Sequence, residues 1–422
     1  MQFTDILVHY NEIAIKGRNR KKFVEALERN IHQVMKGLPV FKIKRPPGRI
    51  WISSLTGEYF DEEALNRLSK VYGVASYSPI VRTQLELGAM QKVAWEMVKD
   101  KPYDSFRVRS KRSFKDQPLD SMTVNKEVGA YILRNRDSKV KMKDADLCVY
   151  IEMVASAAYI YTEKYPGKGG LPVGVTGNLT VMLSGGIDSP VAAARMQQRG
   201  CHLNFVHFHS HPFVSRASQE KAVELAEILC QYQYQGNLYM VPFGELQREI
   251  VTNAPESLRV ILYRRFMVRI AAKIAKREKA RALVTGEALA QVASQTLTNL
   301  ITVDEASPLP ILRPLIGFDK QEIIDLAKPL GSYDISIIPD QDCCQVFMPK
   351  NPETHAKLER LLEAEESLDI EALCEDAIER MQIHEIKAPW WKPKKSRRKP
   401  APPQEIVVVE SDESNDGVCQ LN

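Results

Sequence analysis

The residues best equipped for chemistry are Ser184-Gly185-Gly186-Ile187-Asp188-Ser189, directly after the apolar run Leu179-Thr180-Val181-Met182-Leu183. The run reads as a strand and Ser189 to Gln198 as a helix, so the loop falls at a strand-to-helix turn. Such a turn cradles anions. Glycines let successive amides approach phosphate oxygens, and the helix N-terminus adds a favourable dipole. Ser184 and Ser189 add hydroxyls, and Pro190 suits the start of a helix. Asp188 beside a polyphosphate needs a reason: it holds Mg²⁺, caps the helix, or does both. The pattern lacks the lysine of a Walker A loop. Taken alone, it also describes a plain capped turn.

Other segments can supply the rest of a site. Val206-His207-Phe208-His209-Ser210 ends the next strand, where an adenine ring is expected. His207 and His209 have the spacing of a Zn²⁺ pair, but no further ligand group accompanies them, so no metal centre is assigned. Tyr263-Arg264-Arg265-Phe266 offers arginines that either reach phosphate or stay solvated. Thr285-Gly286-Glu287-Ala288 follows a strand, and Gln291 to Asn299 is unusually polar; both suit a pocket rim.

Thiols are the remaining candidates. Of the seven cysteines, Cys148, Cys201, Cys230 and Cys374 sit in apolar strand- or helix-like settings and read as small buried hydrophobes. Cys343 and Cys344 lie in the polar stretch Pro339 to Gln345, and Cys419 stands alone near the C-terminus. A sulfur carrier needs exposure and thiolate character, which the polar stretch suits best. No Cys-x-x-Cys pair occurs, so a cysteine-ligated iron–sulfur cluster is not expected.

The elements that must position these groups fall into units. The chain has 422 residues, 44% hydrophobic and 26% charged, with a net charge of +5. That is ordinary for a globular chain of several domains and permits a polyanionic partner without demanding one. No apolar stretch nears the roughly 20 residues of a membrane span. With an odd cysteine count and no basic-then-apolar leader, the expectation is a cytoplasmic protein without a membrane partner. Residues 1–60 read as a small α+β unit, with a strand at Ile6 to Tyr10 and a helix from Arg20 to Met35. Residues 61–165 form a second unit. There Ser105-Phe106-Arg107-Val108-Arg109-Ser110-Lys111-Arg112 alternates as a strand with cations on one face. Pro166 to Gly174, dense in Gly and Pro, marks a boundary. Residues 175–386 alternate strand and helix as a doubly wound parallel sheet does, with a ligand expected at the strand C-terminal ends. Residues 388–422 carry a basic block, Lys392 to Lys399, and an acidic one, Glu405 to Asp416, and are expected to be disordered.

Ser-Gly-Gly-x-Asp-Ser resembles the loop of the PP-loop ATP pyrophosphatases, which cleave ATP to AMP and pyrophosphate while adenylating an oxygen. Over about residues 1–386 the chain is similar to the tRNA uridine 4-sulfurtransferase (4-thiouridine synthetase) family, which also bears a thiamine-biosynthesis name. The stretches that carry the resemblance are Glu12 to Arg20, Gly169 to Gly174, Met182 to Ala192, Val284 to Leu289 and Gln291 to Leu300. It implies a ferredoxin-like N-terminal domain, a THUMP domain that binds the tRNA acceptor end, and a PP-loop domain. By motif it implies ATP contacts at Leu183 and Ser184, with Gly185, Gly186 and Ser189 in the loop, at Phe208 and His209, at Arg264 or Arg265, and at Gly286 and Gln295. Asp188 then serves Mg²⁺ or the transition state. Lys16, Arg18, Arg107, Arg109, Lys111 and Arg112 become contacts to RNA phosphate, where shape and backbone recognition dominate. The family's essential cysteine falls in the Cys343-Cys344 region, and aligning Cys-x-Val on Cys344-Gln345-Val346 favours Cys344.

The implied chemistry is thiolation of tRNA uridine 8. ATP turns a poor leaving oxygen into an adenylate, and persulfide sulfur from a cysteine desulfurase displaces AMP. A homodimer is also implied. Long members end in a rhodanese domain that receives the persulfide. The 35 residues after the core are too few for one. That expectation points to direct delivery by the desulfurase or another protein and weakens any role in thiazole supply for thiamine. The rival readings are another PP-loop reaction, such as 2-thiolation or lysidine formation, and a non-catalytic tRNA-binding protein.

Overall fold

In the computed structural model the described residues are 3–114, 119–339, 347, 349 and 351–390. Cys343, Cys344, Cys419 and both charged blocks of the tail lie outside them.

The first two units share one sheet. Its strands are β1 (Asp5–His9), β2 (Phe41–Lys44), β3 (Arg49–Ser54), β4 (Ser76–Thr83), β5 (Ser105–Arg112), β6 (Lys139–Val140), β7 (Leu147–Val154), β8 (Ala157–Tyr161) and β9 (Tyr165–Pro166). The order is β2-β3-β1-β4-β8-β7-β5-β6, with β9 on β4. β4 is the joint. Its first half pairs antiparallel with β1, from Ser76 to Ile80, and its end, Val81 to Thr83, pairs with β8.

The helices of this half are α1 (Arg20–Val34), α2 (Glu62–Ser69), α3 (Leu87–Val98) and α4 (Ser121–Asn135). α2 starts where Asp61 accepts a hydrogen bond from the Ala64 amide, a standard N-cap. Its Ala64 and Leu68 pack with Ile6, Val8, Leu27, Ile31 and Ile52, so the first core runs past residue 60. α3 and α4 cover β5, β7 and β8 through a second core around Phe106, Val128, Ile151 and Ile160.

The Gly/Pro stretch after β9 is sewn to both sides. The Gly169 amide donates to Val74 O, and the Leu171 amide donates to Gln198 O. A Cβ on Gly170, whose φ is +70°, would lie 2.2 Å from Gln198 O, so only glycine permits this approach.

The last unit is a sheet of β10 (Gly177–Met182), β11 (Cys201–His209), β12 (Gln235–Pro242), β13 (Leu283–Val284), β14 (Ile311–Leu312) and β15 (Gln382–Lys387). The order is β14-β13-β10-β11-β12-β15, parallel except for β15, which closes one edge antiparallel. Its helices are α5 (Asp188–Gln198), α6 (Ala217–Gln233), α7 (Gly244–Asn253), α8 (Arg259–Arg277), α9 (Leu297–Glu305), α10 (Lys320–Leu330), α11 (Tyr333–Ser336), α12 (Leu358–Glu365) and α13 (Ile370–Glu379). Both faces of the strands are buried. Val206 and Phe208 face α7 and α8, while Leu203 and Phe205 face α5 and α6. This is the double covering that a parallel sheet requires. The order reverses between β10 and β13, so a crevice opens there at the strand C-terminal ends. No helix among the described residues is long and apolar enough to cross a membrane.

Candidate functional site

The crevice holds a cavity of ≈ 290 Å³, walled by the loop after β10, the end of β11, α8 and the segments after β13 and β14. The loop closes on itself. Ser189 Oγ accepts from the Ser184 amide at 2.9 Å and donates to Ser184 O at 3.2 Å, while Ser184 Oγ accepts from the Gly186 amide at 3.3 Å. Gly286, after β13, lies against this turn. A Cβ there would sit 2.5 Å from the Ser189 nitrogen, so the residue must lack one. Two chain segments distant in sequence thereby bring backbone to one point, the arrangement an anion needs.

Of the expected ATP contacts, Leu183, Ser184, Gly186, Ser189, Phe208, Arg264, Gly286 and Gln295 line the cavity, as does Asp188. Gly185 is buried and does not line it. His209 does not line it either. Burial, with His207, His211 and Arg216 nearby, pushes the His209 imidazole down to about 4, so it is neutral near pH 7. Its Nδ1 is buried without a hydrogen-bond partner. His207 donates Nδ1–H to Leu183 O at 2.9 Å, since a carbonyl oxygen can only accept.

Arg264 and Arg265 separate cleanly. Arg265 is fully buried behind the cavity wall, with Nε and Nη2 on the Glu365 carboxylate at 2.8 and 2.9 Å. Arg269 and Glu305 join the same network. The expectation of Arg265 as a ligand contact is therefore corrected: its charge is consumed in joining α8 to α9 and α12. Arg264 turns into the cavity and pairs with Glu287, leaving its buried Nε without a partner. Gln295 Oε1 is likewise buried and unpartnered. Buried polar atoms left without protein partners are costly and are natural ligand contacts.

Sequence marked Glu287 only as part of the Thr285–Ala288 rim and did not mark Arg313. Glu287 is buried between Arg264 and Arg313, accepting from Arg313 Nε at 2.7 Å and Thr285 Oγ1 at 2.8 Å. Burial pushes its carboxyl up, but both guanidiniums outweigh that and hold it below the ordinary range. Arg313 follows β14, an element too short to flag its last neighbour as a site residue.

Asp188 does not cap α5, whose N-cap position is Ile187 without a side-chain bond. Its carboxylate meets Lys320 Nζ at 2.6 Å and Gln291 Nε2 at 3.0 Å. Lys320 opens α10 beside the capping box of Asp319 and Glu322; that box was the available signal. Among the described residues no cluster of His, Cys, Asp or Glu could hold a metal on its own. An oxygen-seeking cation fits here only with one carboxylate, Asp188, plus ligand oxygens.

The basic strand makes a second surface. Arg109 and Lys111 are exposed and line a hollow of ≈ 530 Å³ with Tyr150, Tyr161, Lys164 and Glu152. The Tyr150 and Tyr161 rings stack at 4.9 Å. At the floor, Glu152 accepts from Tyr161 OH at 2.8 Å and pairs with His9 and Arg49. Arg107 is already engaged, with Nε on Cys148 Sγ at 3.3 Å and Nη1 on Met142 O at 3.0 Å. Cys148 is therefore partly exposed on this face, unlike buried Cys201, Cys230 and Cys374, and corrects the expectation of a core thiol. Alternation puts Arg112 on the opposite side from Arg107, Arg109 and Lys111, so the cations do not all share one face. Lys16 pairs with Glu12 at 3.0 Å, and Glu12 also takes Arg199 at 2.8 Å, a bridge between units. Arg18 is exposed on a separate hollow with Arg20, Lys21 and Arg45.

Comparison with known proteins adds to this geometry. The family model for the thiamine biosynthesis protein (ThiI) matches residues 174–370, that for the ThiI ferredoxin-like domain residues 5–78, and that for the THUMP domain residues 88–163. A probable tRNA sulfurtransferase of Moorella thermoacetica is 41% identical over 90% of this chain and 97% of its own length. One of Thermus thermophilus is 41% identical over 89% and 92%. A crystal structure of a 4-thiouridine synthetase–RNA complex with bound ATP superposes with a TM-score of 0.83 at 36% identity, covering 92% of this chain and 100% of that one.

Proposed function

The chain belongs to the ThiI family of tRNA sulfurtransferases, and from that membership we propose that it converts uridine 8 of tRNA to 4-thiouridine through an adenylate at O4. The carrying observation is the cavity at the reversal of strand order. There the phosphate loop, the unpartnered Arg264 Nε and the unpartnered Gln295 Oε1 converge on one ligand-sized space.

ATP lies with its phosphates on the Ser184–Ser189 loop and its base toward Phe208. Asp188 is the carboxylate that would hold Mg²⁺, which shields phosphate charge when bound; Lys320, now on Asp188, then becomes free to face phosphate. The uracil O4 attacks the α-phosphorus and pyrophosphate leaves. Arg264 and Arg313, fixed by Glu287, stabilise the charge that develops.

Sulfur arrives as the persulfide of Cys344, with Cys343 its neighbour, loaded by a cysteine desulfurase. The terminal sulfur attacks C4, and AMP departs with the oxygen. This leaves a disulfide between carrier and base. A thiol cleaves it, 4-thiouridine is released, and the resulting disulfide is reduced by an external dithiol. The tRNA is held through phosphate contacts at Arg109 and Lys111, with the stacked Tyr150 and Tyr161 beside them.

The test is product balance in a reconstituted reaction of the full chain, ATP, Mg²⁺, an unmodified tRNA transcript, desulfurase, cysteine and dithiol. The reading expects AMP, pyrophosphate and 4-thiouridine in equal amounts. ADP in place of AMP, or sulfur found on another base position, contradicts it.

A further inference from the structure

We infer that Lys221 and Asn299 are positioning residues for the sulfur-transfer step, docking the chain on either side of residues 340–350 onto the phosphate loop and the Gln295 turn of the nucleotide cavity. This rests on the proposed role of Cys343 and Cys344 as sulfur carriers.

Lys221, on α6, is 4% exposed. Its ammonium donates to Ser336 O at 3.1 Å and Ile338 O at 2.8 Å. Burying an ammonium is unfavourable unless its protons are used. Here it grips the main chain of one short stretch at the end of α11. Ser336 Oγ in turn donates to Gly186 O at 3.2 Å. The stretch is thereby registered on the phosphate loop itself.

Asn299, on α9, is fully buried. Its Nδ2 donates to Ala293 O at 2.8 Å and Glu353 O at 2.9 Å, and its Oδ1 accepts from the Ala356 amide at 3.0 Å. Thr296 Oγ1 adds a bond to Thr354 O at 2.7 Å. Ala293 opens the short turn that carries Gln295. The second stretch, 353–356, is thus registered on the turn that brings Gln295 to the cavity.

None of these bonds is needed to close a helix or a sheet. Those from Lys221, Asn299 and Thr296 to residues 336–338 and 353–356 join side chains to backbone flanking the carrier residues, and those to Gly186 O and Ala293 O tie the same groups to the cavity. Attack on C4 requires the sulfur at near-bonding approach, and a misplacement of about 1 Å lowers rates by about a hundredfold. Fixing both flanks against the cavity sets that approach. Adenylation, which uses the cavity walls alone, does not depend on the Lys221 dock.

The experiment uses the full chain with ATP, tRNA transcript, desulfurase, cysteine and dithiol, and reads pyrophosphate and 4-thiouridine together. For Lys221→Met, pyrophosphate release stays within about threefold of wild type while 4-thiouridine per pyrophosphate falls about tenfold or more. Ser336→Ala, a milder change, moves the same ratio in the same direction. Asn299→Ala lowers the ratio and also raises KM for ATP, because the Gln295 turn is loosened. Millimolar sodium sulfide in place of the desulfurase attacks C4 directly and needs no carrier, so it restores product in Lys221→Met. The inference is overturned if the ratio is unchanged in folded Lys221→Met and Ser336→Ala, or if both products fall together and sulfide restores nothing. If wild type itself forms no 4-thiouridine, the proposed function fails and this inference falls with it.

Discussion

The nucleotide cavity and the β5 face both gather cations, and they hold them by opposite means. In the cavity, Arg264 and Arg313 are clamped on buried Glu287, and Arg313 also takes Asp304. On the β5 face, Arg109 and Lys111 carry no ion pair among the described residues and stand in solvent. A clamped guanidinium presents charge at one place, which suits a reacting group whose geometry never varies. Its desolvation has to be offset by a buried counter-charge. A solvated cation needs no such offset and can follow a polyanion, but salt weakens it. The same residue types therefore serve chemistry in one region and docking in the other, and what separates them is which cations the buried carboxylate holds: Glu287 clamps the cavity arginines, whereas Glu152 pairs with His9 and Arg49 and not with Arg109 or Lys111.

The largest expected effect probes the cavity. Asp188→Ala removes the one carboxylate at the mouth of the loop, and 4-thiouridine formation should fall by about a hundredfold or more, with tRNA affinity intact. A matching loss of tRNA affinity would erase the division between the regions. Glu287→Gln is next. It leaves Arg264 with a neutral partner and Arg313 with Asp304 alone, so the thermal midpoint should drop by an amount equivalent to about 3 kcal/mol and KM for ATP should rise. An unchanged midpoint would mean the carboxylate is not what holds the cavity cations.

On the other region, the Arg109→Ala, Lys111→Ala double variant should flatten the salt dependence of tRNA binding by about two in log–log slope, while KM for ATP stays put. Arg107→Ala, already bonded to Cys148 and Met142 O, should change the slope less. Equal effects would remove the distinction between engaged and free cations. The effect confined to the narrowest pH range lies beneath that face. Burial pushes the Glu152 carboxyl up, but His9, Arg49 and Tyr161 overcome it and hold it at about 2, against an ordinary 4.5. Its contribution to stability is complete above the ordinary value and drains as pH falls toward 2. Glu152→Gln should flatten the acid limb of the unfolding curve below the ordinary carboxyl value, as followed by denaturant midpoints across that range.

The parts of the site legible in the sequence were those set by local backbone. Ser184 to Ser189 lies between a clear strand and a clear helix, and Gly286 and Gln295 sit in short polar segments at strand ends. Choosing between Arg264 and Arg265 was beyond the sequence, because consecutive helical residues point about 100° apart and both faces of α8 are packed. Arg313 and Lys320 reach the cavity only through the strand order, which no local pattern encodes. The joint strand β4 escaped for a similar reason. Residues Ser76 to Ile80 are buried on both faces, so alternation is lost, and Pro79 argues against a strand. β15 was missed because Gln382 to Lys387 is almost wholly exposed at the sheet edge.

The most direct measurement is mass spectrometry of tRNA nucleosides from a strain deleted for this protein and complemented with wild type, Asp188→Ala, Cys344→Ser or Cys343→Ser. The account predicts that 4-thiouridine disappears on deletion, returns with wild type and Cys343→Ser, and stays absent with Asp188→Ala and Cys344→Ser. Persistence of 4-thiouridine in the uncomplemented strain would contradict it outright.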